Sequence, residues 1–280
     1  MSQPNHEGLV DKIVALGPWH LDVRLTEDLS TAVYLDHLSS EDAEARVSFL
    51  RPERHWKSLM HRIYPDGLEG RSFLECACNC GAYSFWAREL GASSCTGFDV
   101  REHWIEQARF LLQHRKGPVD GIRFEVSDLL GLEKVSPPVG PADITMFQGI
   151  FYHLPDPVAG LKIAADRTRE LLFLDTACRV DLPDGMLAVT KESTEMLMSG
   201  VHGLAWFPTG PRVLESILRW LGFVDIKVAH WFAETNTARD GYGRIRVLAS
   251  RRPGLLEPIE SVAAPTVLET KRMYPAAADD

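Results

Sequence analysis

From Arg71 onward the chain alternates between short apolar runs of strand length and longer stretches with helical spacing, and few folds accommodate that rhythm. "SFLECA" is a strand, "AYSFWARELGA" a helix closed by Gly91, "SCTGFDV" a strand and "EHWIEQARFLLQHR" a helix ending near Gly117. "GIRFEVSDL", "ADITMFQGIFYHL" and "ELLFLDTAC" continue the series, with a helix from about Pro157 to Arg169. Strands joined through helices run parallel and need cover on both faces. The expected fold class is therefore α/β, a doubly wound Rossmann-like sheet.

The flanks divide the chain. Residues 1–65 form an N-terminal helical extension whose last part, "RPERHWKSLMHRIYP", places Trp56, Leu59, Met60 and Ile63 at helical spacing before Pro65. "DHLSSEDAEARVSFL" reads as an acidic helix or loop. Residues 66–252 make the main domain. Within it, about 179–211 breaks the rhythm with Pro183, Gly185, Gly200, Gly203 and Pro208 and reads as an inserted cap. "PRVLESILRWLGF" resumes as a helix, and "VDIKVAHWF" and "GRIRVLASRR" as two strands able to pair antiparallel. Residues 253–280, rich in proline and alanine, read as a loosely attached tail.

Composition excludes several classes. No stretch approaches the roughly 18 consecutive apolar residues of a membrane span, and the first nineteen residues carry Asn5, His6, Glu7 and Asp11 where a signal peptide would be apolar. Five cysteines in 280 residues argue against a disulfide framework and for a cytoplasmic location. The formal charge is −9 and no segment is basic. Affinity for nucleic acid is dominated by phosphate neutralisation, so this balance speaks against a nucleic-acid partner.

The most informative stretch is Glu75-Cys76-Ala77-Cys78-Asn79-Cys80-Gly81, at the end of the first strand of the series. In open α/β sheets ligands bind beyond the carboxyl ends of strands, where small side chains let the backbone approach them. Asp99, 24 residues after Glu75, ends the next strand, where a carboxylate can accept hydrogen bonds from ribose hydroxyls. The three-glycine dinucleotide fingerprint is absent, so a nucleoside with a compact cationic tail is favoured over a pyrophosphate. A zinc site at Cys76, Cys78 and Cys80 would need wider spacing and a second ligand pair. No metal is expected there, nor at His153, Asp175 and Glu192, which lack compact ligand spacing.

"FLECACNCGAYSFWARELGA" and "GFDVREHWIEQARFL" resemble motifs I and II of class I S-adenosylmethionine-dependent methyltransferases. "MFQGIFYHLPDP" and "HGLAWFPTGPRVLESILRWLGF" are similar to the tRNA wobble-uridine (carboxy)methyltransferase-like branch and its small-molecule relatives. The resemblance, from about Trp56 to Val228, implies S-adenosyl-L-methionine as cofactor. It implies that Glu75, Ala77, Asn79 and Gly81 line the methionine and ribose, that Asp99 holds the ribose with Val100 and Arg101 beside the adenine, and that Asp128 and Leu129 meet the adenine. Gln148 and Gly149 would border the methyl donor, and Trp56 joins the cofactor set. Two departures stand out. Ala77 replaces a customary glycine, which requires a negative φ at that residue. The carboxymethyl-transferring branch carries an arginine before its aromatic-Phe-x-Pro segment, where this chain reads "SGVHGLAWF" with His202, and this favours a plain methyl donor.

Methyl transfer to a hydroxyl needs in-line alignment and a proton acceptor titrating near neutrality. His153 is the leading base, Tyr152 a contact to donor or substrate, and Glu192 and His202 the alternatives. Each also has a structural reading, as a turn cap or a packed aromatic. Met198, Trp206 and Phe207 in the cap are the candidate substrate wall. The expected function is O-methylation of a small-molecule acceptor. A tRNA wobble-uridine enzyme is the alternative, with a C- or N-methyltransferase of secondary metabolism a further one. Oligomerisation as a homodimer stays open.

Overall fold

The computed structural model describes residues 6–39, 41–42, 46, 49–195, 198–235 and 241–269. The rest of the "DHLSSEDAEARVSFL" stretch, Met196 and residues 270–280 lie outside the described residues. The described residues divide into two compact units, one within residues 6–70 and 78–127, the other within residues 71–77 and 128–269.

The first unit contains α1 (His6–Ala15), a 3-10 helix (Thr31–His37), α2 (Glu53–Ile63), α3 (Ala82–Glu89), β2 (Ser94–Asp99), α4 (Glu102–His114) and β3 (Ile122–Val126). β2 and β3 pair in parallel, Asp99 opposite Val126. Helix α3 is buried along Ala82–Ala87, as its nearly uniform apolar sequence requires. α4 buries Trp104, Ile105, Ala108 and Leu111, spaced three and four apart. The N-terminal segment is fastened to α4 by Gln107, whose Nε2 donates to Leu16 O (2.7 Å) and Pro18 O (2.8 Å). Buried Arg115 donates to Arg24 O at 3.0 Å, pairs with Glu89 and lies over the Phe85 ring.

The second unit contains β1 (Ser72–Cys76), β4 (Ala142–Gln148), a 3-10 turn (Phe151–His153), α5 (Pro157–Asp166), β5 (Thr168–Arg179), β6 (Leu187–Lys191), β7 (Leu204–Pro208), α6 (Pro211–Trp220), β8 (Asp225–Thr235), β9 (Tyr242–Ser250) and β10 (Thr266–Glu269). Its strands run in the order β10-β8-β9-β5-β4-β1. β1, β4 and β5 are parallel, β9 is antiparallel to both β5 and β8, and β10 is parallel to β8. Helix α5 stops at Asp166, short of the expected Arg169, because β5 already begins at Thr168. Its start is fixed by Asp156, whose Oδ1 accepts from Ala159 N, and by Pro157 in the first turn. β6 and β7 form a separate antiparallel hairpin inside the 179–211 segment.

The segment after Pro253 departs from the expected loose tail. Leu255, Leu256 and Ile259 are buried, Leu256 N donates to Asp225 Oδ2, and β10 extends the sheet beside β8. Three buried aliphatic side chains outweigh the breaking tendency of the prolines.

Candidate functional site

The turn after β1 explains the alternating cysteines. Ala77, Asn79 and Gly81 all take left-handed backbone conformations, with φ of 52°, 50° and 75°. Cys76, which precedes them, and Cys78 and Cys80, which separate them, are buried. The negative φ expected of Ala77 is therefore wrong: its φ is 52°, in the left-handed region. An alanine tolerates this at about 1–2 kcal/mol. Burial pushes the Cys76 thiol strongly up, so it is an inert, protonated packing group.

In the first unit, Asp99 ends β2 with 6% of its surface exposed. Its Oδ2 accepts from Asn79 N and its Oδ1 from Arg101 N, both at 3.0 Å. Burial raises its pKa, and these amide hydrogen bonds oppose that shift without cancelling it. Asn79 Oδ1 accepts from Cys80 N at 2.8 Å, fastening the turn from inside. At Gly81 a Cβ would lie 2.3 Å from the Phe124 ring, so only glycine fits. Val100 is 46% exposed, an apolar surface directly after the buried acid. Trp56 is 2% exposed and packs on Tyr83 and Trp86 of the helix that follows the turn.

In the second unit, Glu75 is buried on β1, Asp128 is exposed with Oδ1 accepting from Gly131 N, and Leu129 is buried. Gln148 ends β4, and Gly149 is left-handed with its N–H donating to Asp175 O at 2.8 Å. The following 3-10 turn presents Tyr152 and His153, ring centroids 3.9 Å apart. Tyr152 stacks on Phe207 of the hairpin (5.7 Å), and Phe207 meets Tyr242 edge-on. His153 Nδ1 lies 2.7 and 2.9 Å from the two Glu192 carboxylate oxygens, with both side chains 15% exposed.

His202 is exposed and Met198 is 43% exposed. Trp206, adjacent to Phe207 on β7, points to the opposite face of the hairpin, where it pairs with Val189. The structure adds two residues that sequence reasoning missed, Arg244 and Arg246. Asp175, buried at 1% exposure, receives Arg244 on Oδ1 and Arg246 on Oδ2. Partial burial works against the charge on Arg244, but Asp175 and Tyr152 outweigh it and hold the guanidinium firmly cationic. The available signal was "GRIRVLAS": two arginines at alternate positions of an apolar strand share one face. Among the described residues no cluster of three or more His, Cys, Asp or Glu is arranged to hold a metal, and no helix is long and apolar enough to cross a membrane.

Comparisons with known proteins agree on the class. Residues 68–213 match the family model described as a methyltransferase domain. The tRNA U34 carboxymethyltransferase of Alteromonas mediterranea is 24% identical over 79% of this chain and 70% of its own length. Its counterpart from Campylobacter concisus is 26% identical over 79% of this chain and 65% of its own length. That of Campylobacter hominis is 34% identical over 39% of this chain and 38% of its own. Among solved structures, the N-terminal domain of EvdMO1 in the presence of SAH and D-fucose superposes with a TM-score of 0.63 at 19% identity, covering 90% of this chain and all of that one. The likeness to that domain identifies the fold as Rossmann-like, of the class I type.

Proposed function

The chain belongs to the methyltransferase-domain family, and from that premise we propose that it transfers a methyl-derived group from S-adenosylmethionine to an oxygen of a wobble uridine in tRNA, as a cytoplasmic enzyme. Asp99 is the observation that carries the donor assignment. An ionised carboxylate offers about four lone-pair sites, and two backbone amides use only part of that capacity. The remainder suits two ribose hydroxyls, and exposed Val100 suits the edge of an adenine. The residues that the first unit gathers at the end of β2, Asn79, Gly81, Asp99, Val100 and Arg101, therefore fit the ribose and adenine of the cofactor. When bound, the cofactor supplies an electrophilic methyl on a sulfonium. The names of the relatives favour tRNA as acceptor over the small hydroxylated molecule suggested by the acidic charge.

A second reading concerns the transferred group. The absence of an arginine at His202 pointed to a plain methyl. Arg244, held cationic beside Tyr152, supports instead a carboxylated form of that donor, whose transferred carboxymethyl group would find its counter-charge there. Mass spectrometry of tRNA from cells with and without the protein tests both points. A modified wobble uridine that depends on the protein supports tRNA as acceptor, and its mass separates methyl from carboxymethyl. Unchanged tRNA, with turnover on a small hydroxylated compound, would return the acceptor to the metabolite class.

A further inference from the structure

His153 and Glu192 are 39 residues apart in sequence, one in the turn after β4 and the other immediately after β6. Their 2.7 and 2.9 Å contacts join the hairpin to the strand end where Gly149 and Tyr152 sit. The pair is enclosed by specific groups. Gly200 lies so close that a Cβ there would be 2.6 Å from Glu192 Oε2, 2.9 Å from His153 Cβ and 3.0 Å from His153 Nδ1. On the other side the Tyr152 ring lies against the imidazole and is itself backed by Phe207. Glu192 N donates to Gly203 O at 3.0 Å, which anchors the residue bearing the carboxylate. An ion pair serving only to pin a surface loop needs no such enclosure.

We propose that Glu192 is a positioning residue for the transfer reaction: it holds His153 as the Nδ1–H tautomer, so that Nε2 takes the proton of the acceptor hydroxyl. The chemistry follows from the imidazole itself. A neutral ring carries one N–H and one lone pair, and whichever nitrogen donates to a carboxylate leaves the lone pair on the other. As the hydroxyl oxygen forms its bond to the transferred carbon, its proton passes to Nε2 and the carbon–sulfur electron pair returns to sulfur. The imidazolium that results lies against an ionised carboxylate, which stabilises it without a further proton transfer, and the proton then leaves to solvent. The inference rests on the transferase reading above and deepens it by assigning the proton's route.

The test uses the full chain labelled with 15N-histidine. In the wild type, the His153 ring is expected to show its proton on Nδ1 and an unprotonated Nε2 at the assay pH. Glu192→Gln should weaken that preference and give a mixture of tautomers. With S-adenosylmethionine and tRNA isolated from cells lacking the protein, whose wobble uridine still carries the unalkylated hydroxyl, as probes, Glu192→Gln should lower kcat by about tenfold or more and leave donor affinity by calorimetry unchanged. Glu192→Asp, which keeps the carboxylate on a shorter stem, should recover part of the loss. A proton on Nε2 in the wild type, or native kcat in Glu192→Gln, overturns the proposal. Absence of donor binding by the wild type would instead sink the transferase reading, and the proton's route with it, whatever the tautomer.

Discussion

The Asp99 carboxylate accepts a 3.0 Å hydrogen bond from the backbone N–H of Asn79, a residue held in the left-handed region with φ of 50°. Turn and acid are thus a single construction within their unit: the turn conformation orients the amide, and the amide orients the acid.

Replacing Asp99 with Ala removes the acceptor of both amides and of the ribose hydroxyls. Donor affinity measured by calorimetry should fall about ten- to a hundredfold, equivalent to roughly 1–3 kcal/mol. Affinity within a factor of two of the wild type would remove the basis of the donor assignment.

Ala77→Gly separates the two accounts of the turn. At an ordinary position glycine costs about 0.5–1 kcal/mol, because the unfolded chain gains freedom. At φ 52° the same change relieves left-handed strain of similar size. Stability in urea should therefore stay within about 0.5 kcal/mol of the wild type or rise. A loss beyond 1 kcal/mol would show that the alanine methyl contributes packing that the strain argument ignores.

The alternation of strands and helices was legible because burial on two faces leaves an unmistakable period in the sequence. The acids at two strand ends were legible because Glu75 and Asp99 interrupt apolar runs. The left-handed Ala77 was not, since alanine has no preference of its own for positive φ. Nor was the pairing of His153 with Glu192, or of Arg244 and Arg246 with Asp175. These partners come from elements distant in sequence, and only strand register brings Arg246 opposite Asp175. Trp206 and Phe207 looked equivalent as neighbouring aromatics, yet strand alternation sends them to opposite faces.

Asp143 predicts an acid-sensitive latch between β1 and β4. Its Oδ2 accepts from Ser72 N at 2.8 Å and from Ser72 Oγ at 2.7 Å. Partial burial works to raise its pKa, but those bonds together with Arg169 and Arg71 outweigh it and hold the carboxyl below its usual value. A depressed folded-state value means that the unfolded chain binds the proton more readily. The stabilisation is therefore present above the ordinary carboxylate range and is lost as pH falls through the folded value. Asp143→Asn should melt lower than the wild type at neutral pH, by the equivalent of about 1 kcal/mol, with the gap closing in acid. A gap independent of pH would assign the loss to packing.

Asp175 carries the largest electrostatic consequence. It is 1% exposed and is the shared counter-ion of two guanidiniums, so its removal leaves Arg244 and Arg246 side by side on β9 with no negative charge between them. Breaking a fully buried ion pair costs about 3–5 kcal/mol. Here the arginines keep 33% and 20% of their side-chain surface exposed, so water moderates the cost to about 2–4 kcal/mol for Asp175→Asn. The origin of the loss can be isolated. Arg246→Met alone removes one cation and its contact over the Phe173 ring, and should cost less than Asp175→Asn because Asp175 keeps Arg244 as partner. In the double variant a single guanidinium remains without a facing like charge, so the combined loss should be smaller than the sum of the two. Urea denaturation of the four proteins measures the coupling. Additive losses would mean that the two arginines do not repel across Asp175, and the anion-attracting character assigned to Arg244 would lose its support.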